Sequence, residues 1–210
     1  MNPQPDVIMD AGPVLDFLAR KDWTRILYSA LPAGSFSVPA TVEKEVLRKA
    51  ATDRRFATVT NQWTKLKNVN RVHVLPDEVT AELNVVVQDI CGLSMPKRLG
   101  TPQDLGETMA IAHAVVLAEQ GHDVAIVIQE RDGSQAALRE QARLKRLGLP
   151  QGSLTVWSVA DVVAFAVAAH CPTIPDQTSL IRIWQEMRAY DDALPEISET
   201  RLLDQQLWQS

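Results

Sequence analysis

The stretch Val124–Gly133 reads VAIVIQERDG: five apolar residues followed by a polar turn with two acids. No polar residue interrupts Val124–Ile128, so a strand here offers apolar side chains to both faces. That is the pattern of a parallel strand covered by helices on each side. Upstream, Asp104–Glu119 places Leu105, Met109, Ala112 and Val116 on one helical stripe. Downstream, Ser134–Leu147 reads as a basic helix, Ser153–Trp157 as a strand and Ser158–His170 as a nearly all-apolar helix. Toward the N-terminus the alternation continues. Val7-Ile8-Met9 is a short apolar run ending at Asp10, and Val14, Leu15, Phe17 and Leu18 follow at helical spacing. Ser35–Val38 is a second strand candidate, and Pro39 can open a helix carrying Val42, Val46 and Leu47. Arg71–Leu75 is a third. Glu78–Ile90 is an amphipathic helix with Val79, Leu83, Val86, Val87 and Ile90 on its face, stopped by Gly92, and Gly92–Gln103 reads as a loop. Strands alternating with helices predict an α/β fold around a mostly parallel sheet.

The wider composition agrees. The chain has 210 residues, 46% of them hydrophobic and 22% charged, which excludes a disordered or fibrous chain. The apolar uncharged run Val162–Pro175 is too short and too broken by prolines to span a bilayer, so no membrane association is expected. The N-terminus lacks a basic region followed by an apolar one, so no secretory signal is expected. Cys91 and Cys171 sit in no motif and read as buried thiols of a cytoplasmic protein. After Pro172 and Pro175 the pattern changes to two amphipathic helices, one with Leu180, Ile183, Trp184 and Met187, the other with Leu202, Leu203 and Leu207. The expected division is a domain over residues 1–171 and a helical extension over 172–210 packed on it. That extension carries most of the net charge of −5, leaving a nearly neutral body without a broad nucleic-acid surface. No G-x-S-x-G, P-loop or dinucleotide fingerprint is present, which removes the esterase, nucleotide-triphosphatase and dehydrogenase readings.

In open α/β sheets the working surface lies beyond the carboxyl ends of the strands. Asp10 stands at the end of the first strand, Glu130 and Asp132 follow the apolar strand, Glu45 lies in the helix after the second strand, and Asp104 and Glu107 open the helix before Val124. Each has an ordinary structural reading as well: Asp10 as an N-cap, Asp104 and Glu107 as a capping pair, Glu45 as a solvated helix residue, Glu130 and Asp132 as a turn. Two carboxylates about 4 Å apart repel by roughly 4 kcal/mol at an effective dielectric of 20, so acids gathered at one point call for a cation. Hard oxygen donors suit Mg2+ or Mn2+.

Four motifs in order, VIMDAGPVLDFL, VPATVEKEV, DLGETMAIAHA and VIQERDGSQAA, resemble the successive motifs of the PIN-domain nucleases, closest to the virulence-associated protein C toxin family. Gly152-Ser153-Leu154 is similar to the family's step into the last strand, and the resemblance spans about residues 6–168. It implies a PIN-like three-layer fold with a central mostly parallel sheet flanked by helices. It also implies an endoribonuclease that cleaves RNA phosphodiester bonds with Mg2+ or Mn2+, acting as the toxin of a toxin–antitoxin pair or derived from one. Asp10, Glu45, Glu107, Glu130 and Asp132 would then be catalytic, with Asp10, Glu45, Asp104, Glu107 and Glu130 holding metal. The implied partners are an RNA substrate and an antitoxin protein, and a homodimer is the expected assembly. The family carries a carboxylate where this chain has Gln129, whose side chain is expected to point at the same pocket as Asp10. That departure supports an alternative, a weakened PIN-fold module that binds RNA or a protein without cleavage. Lys97, Arg98, Arg139 and Arg143 are the candidates for RNA backbone contact, Arg139, Arg143 and Arg146 forming one basic helical stripe that could also be a solvated face.

Overall fold

The computed structural model describes residues 5–31, 34–148 and 152–209. Five strands form one sheet: β1 (Asp6–Met9), β2 (Phe36–Pro39), β3 (Val72–Leu75), β4 (Asp123–Val127) and β5 (Ser153–Trp157). Their order is β3-β2-β1-β4-β5, and every pairing is parallel, with Met9 opposite Val127, Pro39 opposite Leu75 and Val127 opposite Trp157. The sheet grows one way from β1 to β2 and β3, then resumes on the other side of β1 with β4. The reversal leaves a crevice beyond the carboxyl ends of β1 and β4.

Helices cover both faces, because the strands are apolar on both. Val7, Met9, Ala125 and Val127 face one core layer, whereas Ile8, Val124, Ile126 and Leu154 face the other. The first layer is closed by α1 (Ala11–Leu18), α2 (Lys21–Ala30), α3 (Ala40–Thr52), α4 (Val59–Asn68), α9 (Val159–Ala168) and α10 (Gln177–Arg188). The second is closed by α5 (Ala81–Cys91), α6 (Met95–Leu99), α7 (Leu105–Glu119) and α8 (Arg131–Leu147). The result is a three-layer α/β fold.

Several elements differ from the sequence reading. α2 and α4 were not expected. The Gly92–Gln103 loop contains α6, a single turn too short to show a period, which buries Met95 and donates its Met95 amide to Asn84 Oδ1 at 2.9 Å. α5 begins two residues later than its stripe suggested, leaving Val79 exposed. α8 begins at Arg131, so the ERDG segment is a helix start rather than a turn. α7 buries Ala110, Ile111, Ala114 and Val115 besides its expected stripe, because it lies between the sheet, α5 and α8.

In the tail, the stripe of α10 is buried in the first core layer together with Leu194 and Leu202. The Trp184 indole donates to Pro195 O at 3.0 Å. The expected second tail helix is instead two short 3-10 turns, Ile197–Glu199 and Gln205–Trp208, with Leu202 and Leu203 between them. No helix among the described residues is long and apolar enough to cross a membrane.

Candidate active site at the sheet switch point

β1 ends and α1 begins at Asp10. Its amide donates to Val127 O at 3.0 Å, extending the β1–β4 ladder by one residue, and its carbonyl accepts from Val14. The backbone sits at the N-cap position, yet the side chain makes no cap hydrogen bond into the first turn. The carboxylate instead lines a cleft of about 720 Å3 while only 7% of the residue is exposed. Burial pushes its pKa up to about 6; the Ala11 amide and Lys49 pull it down, and Glu45 and Glu130 push it further up.

The other walls come from α3, α7 and the start of α8. Glu45 projects from α3 and pairs with Lys49 at 3.2 Å. α3 is aimed by Asp77, which accepts from the Thr41 amide at 2.6 Å and meets His113 Nε2 of α7 at 3.0 Å. His113 is therefore a strut between two site-bearing helices. α7 starts from Asp104, which adopts a left-handed backbone (φ +51°) tolerable for a short polar residue. Gly106 lets that helix approach closely: a methyl there would stand 3.1 Å from Glu45 Oε2 and 3.8 Å from Asp10 Oδ1. The carboxylates of β1 and α3 thus close on one spot against α7.

Glu107 faces the start of α8, where Gly133 leaves room for its carboxylate. A Cβ on Gly133 would overlap its carboxylate and Ile128 Cδ1. Burial, then the charges of Asp10, Glu130, Asp104 and Asp132, raise the Glu107 pKa to about 7. Glu107 is therefore the electrostatic hub of the predicted acids. Glu130 lines the cleft from the N-cap of α8. Asp104 also lines it, whereas Asp132 is exposed, lies outside the cleft wall and acts only through its field. Among the described residues, no three acid, imidazole or thiol groups are drawn tightly enough to hold an ion as they stand; the acids ring the cleft.

The basic candidates are corrected. Arg98 is 5% exposed, and its guanidinium donates to Thr101 O and Gln103 O at 2.6 Å each and to Thr108 Oγ1 at 3.0 Å. It pins the loop that delivers Asp104 and has no face left for a phosphate. Arg143 is taken up by Glu140 at 2.6 Å and Glu119 at 2.8 Å. Glu119 ends α7, whereas the cleft lies at its start. Lys97 and Arg139 are exposed but lie outside the cleft walls. The cations that do line the cleft, Lys44, Arg48 and Lys49 of α3, were missed. Their signal was local: Lys44 and Arg48 are an i, i+4 pair flanking Glu45.

Gln129 lines a cavity together with Asp10, as expected, but its amide is already engaged. Its Oε1 accepts from the Val159 amide at 3.2 Å and its Nε2 donates to Ala193 O at 3.3 Å. Although it lies near Asp10, its amide ties the start of α9 to the tail instead of offering a ligand.

Comparison with protein-family models, with characterised proteins and with solved structures finds no match.

Proposed function

We propose that this cleft is the active site of a metal-dependent endoribonuclease of the PIN-like type suggested by the sequence motifs, acting as the toxin of a toxin–antitoxin pair or descended from one. The observation that carries the reading is the excess of acids over cations at the switch point. Asp10 and Glu107 are held near 6 and 7 by burial and by neighbouring acids from four other chain positions.

Asp10, Glu45, Glu107 and Glu130 form a set of hard oxygen donors that fits Mg2+ or Mn2+, with Asp104 at the rim. A divalent ion there supplies Lewis acidity toward a phosphodiester and lowers the pKa of water. The chain's own residues prepare the place. β1 fixes Asp10 through the Val127 carbonyl, Asp77 and Arg98 set the approach of α3 and α7, and Lys49 offsets the charge of Glu45. Near neutral pH, Asp10 and Glu107 keep part of their charge masked by protons, which a bound cation would displace.

Gln129 favours a second reading. Where the resembled family has a carboxylate, this chain has an amide engaged in structural hydrogen bonds. The protein would then bind RNA or a partner protein without cutting. Incubating the full chain with single-stranded RNA, with Mn2+ or with EDTA, separates the two. Cleavage that requires Mn2+ and disappears in Asp10→Asn supports the nuclease. Metal uptake with intact RNA overturns it in favour of the binding module.

A further inference from the structure

A second cavity, of about 430 Å3, lies between α1, α3 and the tail. Asp16 of α1 lines it and has no part in the first cleft. The residue is 1% exposed, and both of its carboxylate oxygens are buried without a hydrogen-bond partner. Leaving a buried carboxylate unsatisfied is costly, and such a group in a folded protein points to a water or an ion that meets it. The neighbouring cations do not serve. Lys49 is paired with Glu45 at 3.2 Å, and Arg55 with Asp53 at 2.7 Å and with the Tyr190 carbonyl at 2.8 Å. Arg48 lines the same cavity but does not hydrogen-bond Asp16. What stands beside Asp16 is a second carboxylate, Asp191, with Asp192 next to it on the tail wall. Asp191 Oδ1 accepts from the Ala193 amide at 2.9 Å, and Gln129 holds the Ala193 carbonyl, so the turn that presents these acids is fixed.

We infer that this cavity holds a structural divalent cation of the size of Ca2+, bound between Asp16 of α1 and Asp191 of the tail and clasping the tail to the body. Ca2+ accepts oxygen ligands in a flexible shell and takes a carboxylate through one oxygen or both, whereas Mg2+ demands a tight octahedron. Asp16 offers two oxygens from a rigid helix, and Asp191 offers a carboxylate from a turn, with Asp192 at the wall. Water has room to complete the shell in a cavity of this size. The ion satisfies both orphaned oxygens and removes the repulsion between neighbouring carboxylates. Its ligands are not the acids of the first cleft, so the site stands whether or not that cleft is a nuclease centre.

Calorimetry of Ca2+ uptake tests this, on the full chain carrying Glu107→Gln, which impairs the first cleft and does not line the second cavity. It is run at pH 8, because protons compete for the same oxygens. One Ca2+ per chain is expected, with a rise in melting temperature and with weaker binding of Mg2+. Adding Asp16→Asn keeps the shape of the side chain but removes its charge. It is expected to weaken Ca2+ binding by at least the roughly 10–100-fold that changes behind a ligand cost, and to abolish the thermal response. Asp191→Asn, at a half-buried turn position, is expected to act in the same direction. Asp104→Asn, at the rim of the first cleft, is expected to leave Ca2+ uptake unchanged. No uptake by the Glu107→Gln chain, uptake that survives both Asp16→Asn and Asp191→Asn, uptake lost in Asp104→Asn, or tighter binding of Mg2+ overturns the inference.

Discussion

Asp16 of α1 lies beside Asp191 of the tail, and Asp16 is only 1% exposed. Two carboxylates have no proton to donate, and in that state both Asp16 oxygens are buried without a partner. A proton on Asp16 lets it donate to the neighbouring carboxylate. Burial first, and the charge of Asp191 next, push the Asp16 pKa up to about 9, with Lys49 opposing. The pair lies where the tail meets the body, and there Tyr190 packs edge-on against Trp23 and Phe56 and Arg55 donates to Tyr190 O at 2.8 Å.

The pair makes stability pH-dependent in a definite direction. The folded state keeps a proton that the unfolded chain, with an ordinary aspartate near 4, releases. Between those values folding takes up a proton, so stability falls as pH rises, by about 1.4 kcal/mol per pH unit for one proton. Asp16→Asn, whose amide can donate to Asp191 at any pH, should flatten this slope and raise the melting temperature at neutral pH. Urea unfolding of both proteins from pH 5 to about 8 checks it; parallel slopes would mean that the two carboxyls do not share a proton.

Asp10 and Glu107 act in the same sense, over a narrower range that ends near 6 and 7. Above those values the apo cleft carries its full repulsion. Mn2+ at about 100 times its pH 8 dissociation constant should therefore stabilise the protein by about 2.7 kcal/mol at pH 8, and the same concentration by less at pH 5. Asp10→Asn should raise the apo melting temperature and remove most of the Mn2+ response. A response of equal size at both pH values would place the ion elsewhere.

Gly133→Ala should damage the site more than the fold. The added methyl meets the Glu107 carboxylate and the Ile128 side chain. Overpacking of this kind costs about 1–3 kcal/mol, and here relief comes most easily by moving Glu107. The expected outcome is a folded protein with weakened Mn2+ binding by calorimetry. Wild-type Mn2+ affinity in the variant would show that Glu107 is not a ligand.

Gln129→Asp should not tighten Mn2+ binding. The shorter side chain gives up the hydrogen bonds to Val159 and Ala193, and its carboxylate cannot donate to the Ala193 carbonyl. A loss of about 1–2 kcal/mol of stability is expected, with unchanged Mn2+ affinity. Tighter Mn2+ binding would show that the side chain can turn to the cleft.

What local sequence could show depended on how far its cause extended. The apolar run at Val124–Ile128 needs burial on both faces whatever surrounds it, so it announced a parallel sheet. The acids at Asp10, Glu107 and Glu130 stand at strand ends or helix starts, and strand ends in such a sheet share one edge. α6 escaped notice because a single turn has no period, and the second tail helix was overread because Leu202, Leu203 and Leu207 are held by turns and the core beneath them.

The basic residues mark the limit more sharply. Arg98, Arg139, Arg143, Lys44 and Arg48 all read from the chain as cations on or near helices. Only the packing decided that Arg98 is buried under a loop, that Arg143 is spent on Glu140 and Glu119, and that Lys44 and Arg48 overlook the acids. A side chain's type and helical phase belong to the sequence. Whether its charge meets a partner, a carbonyl or an open groove depends on residues far away in the chain, since ion pairs and hydrogen bonds act over a few ångströms of space. So the strands, the longer amphipathic helices and the acids belong to the sequence by itself, while the Asp16–Asp191 pair, 175 positions apart in the chain, and the cationic wall of the cleft exist only in the folded molecule.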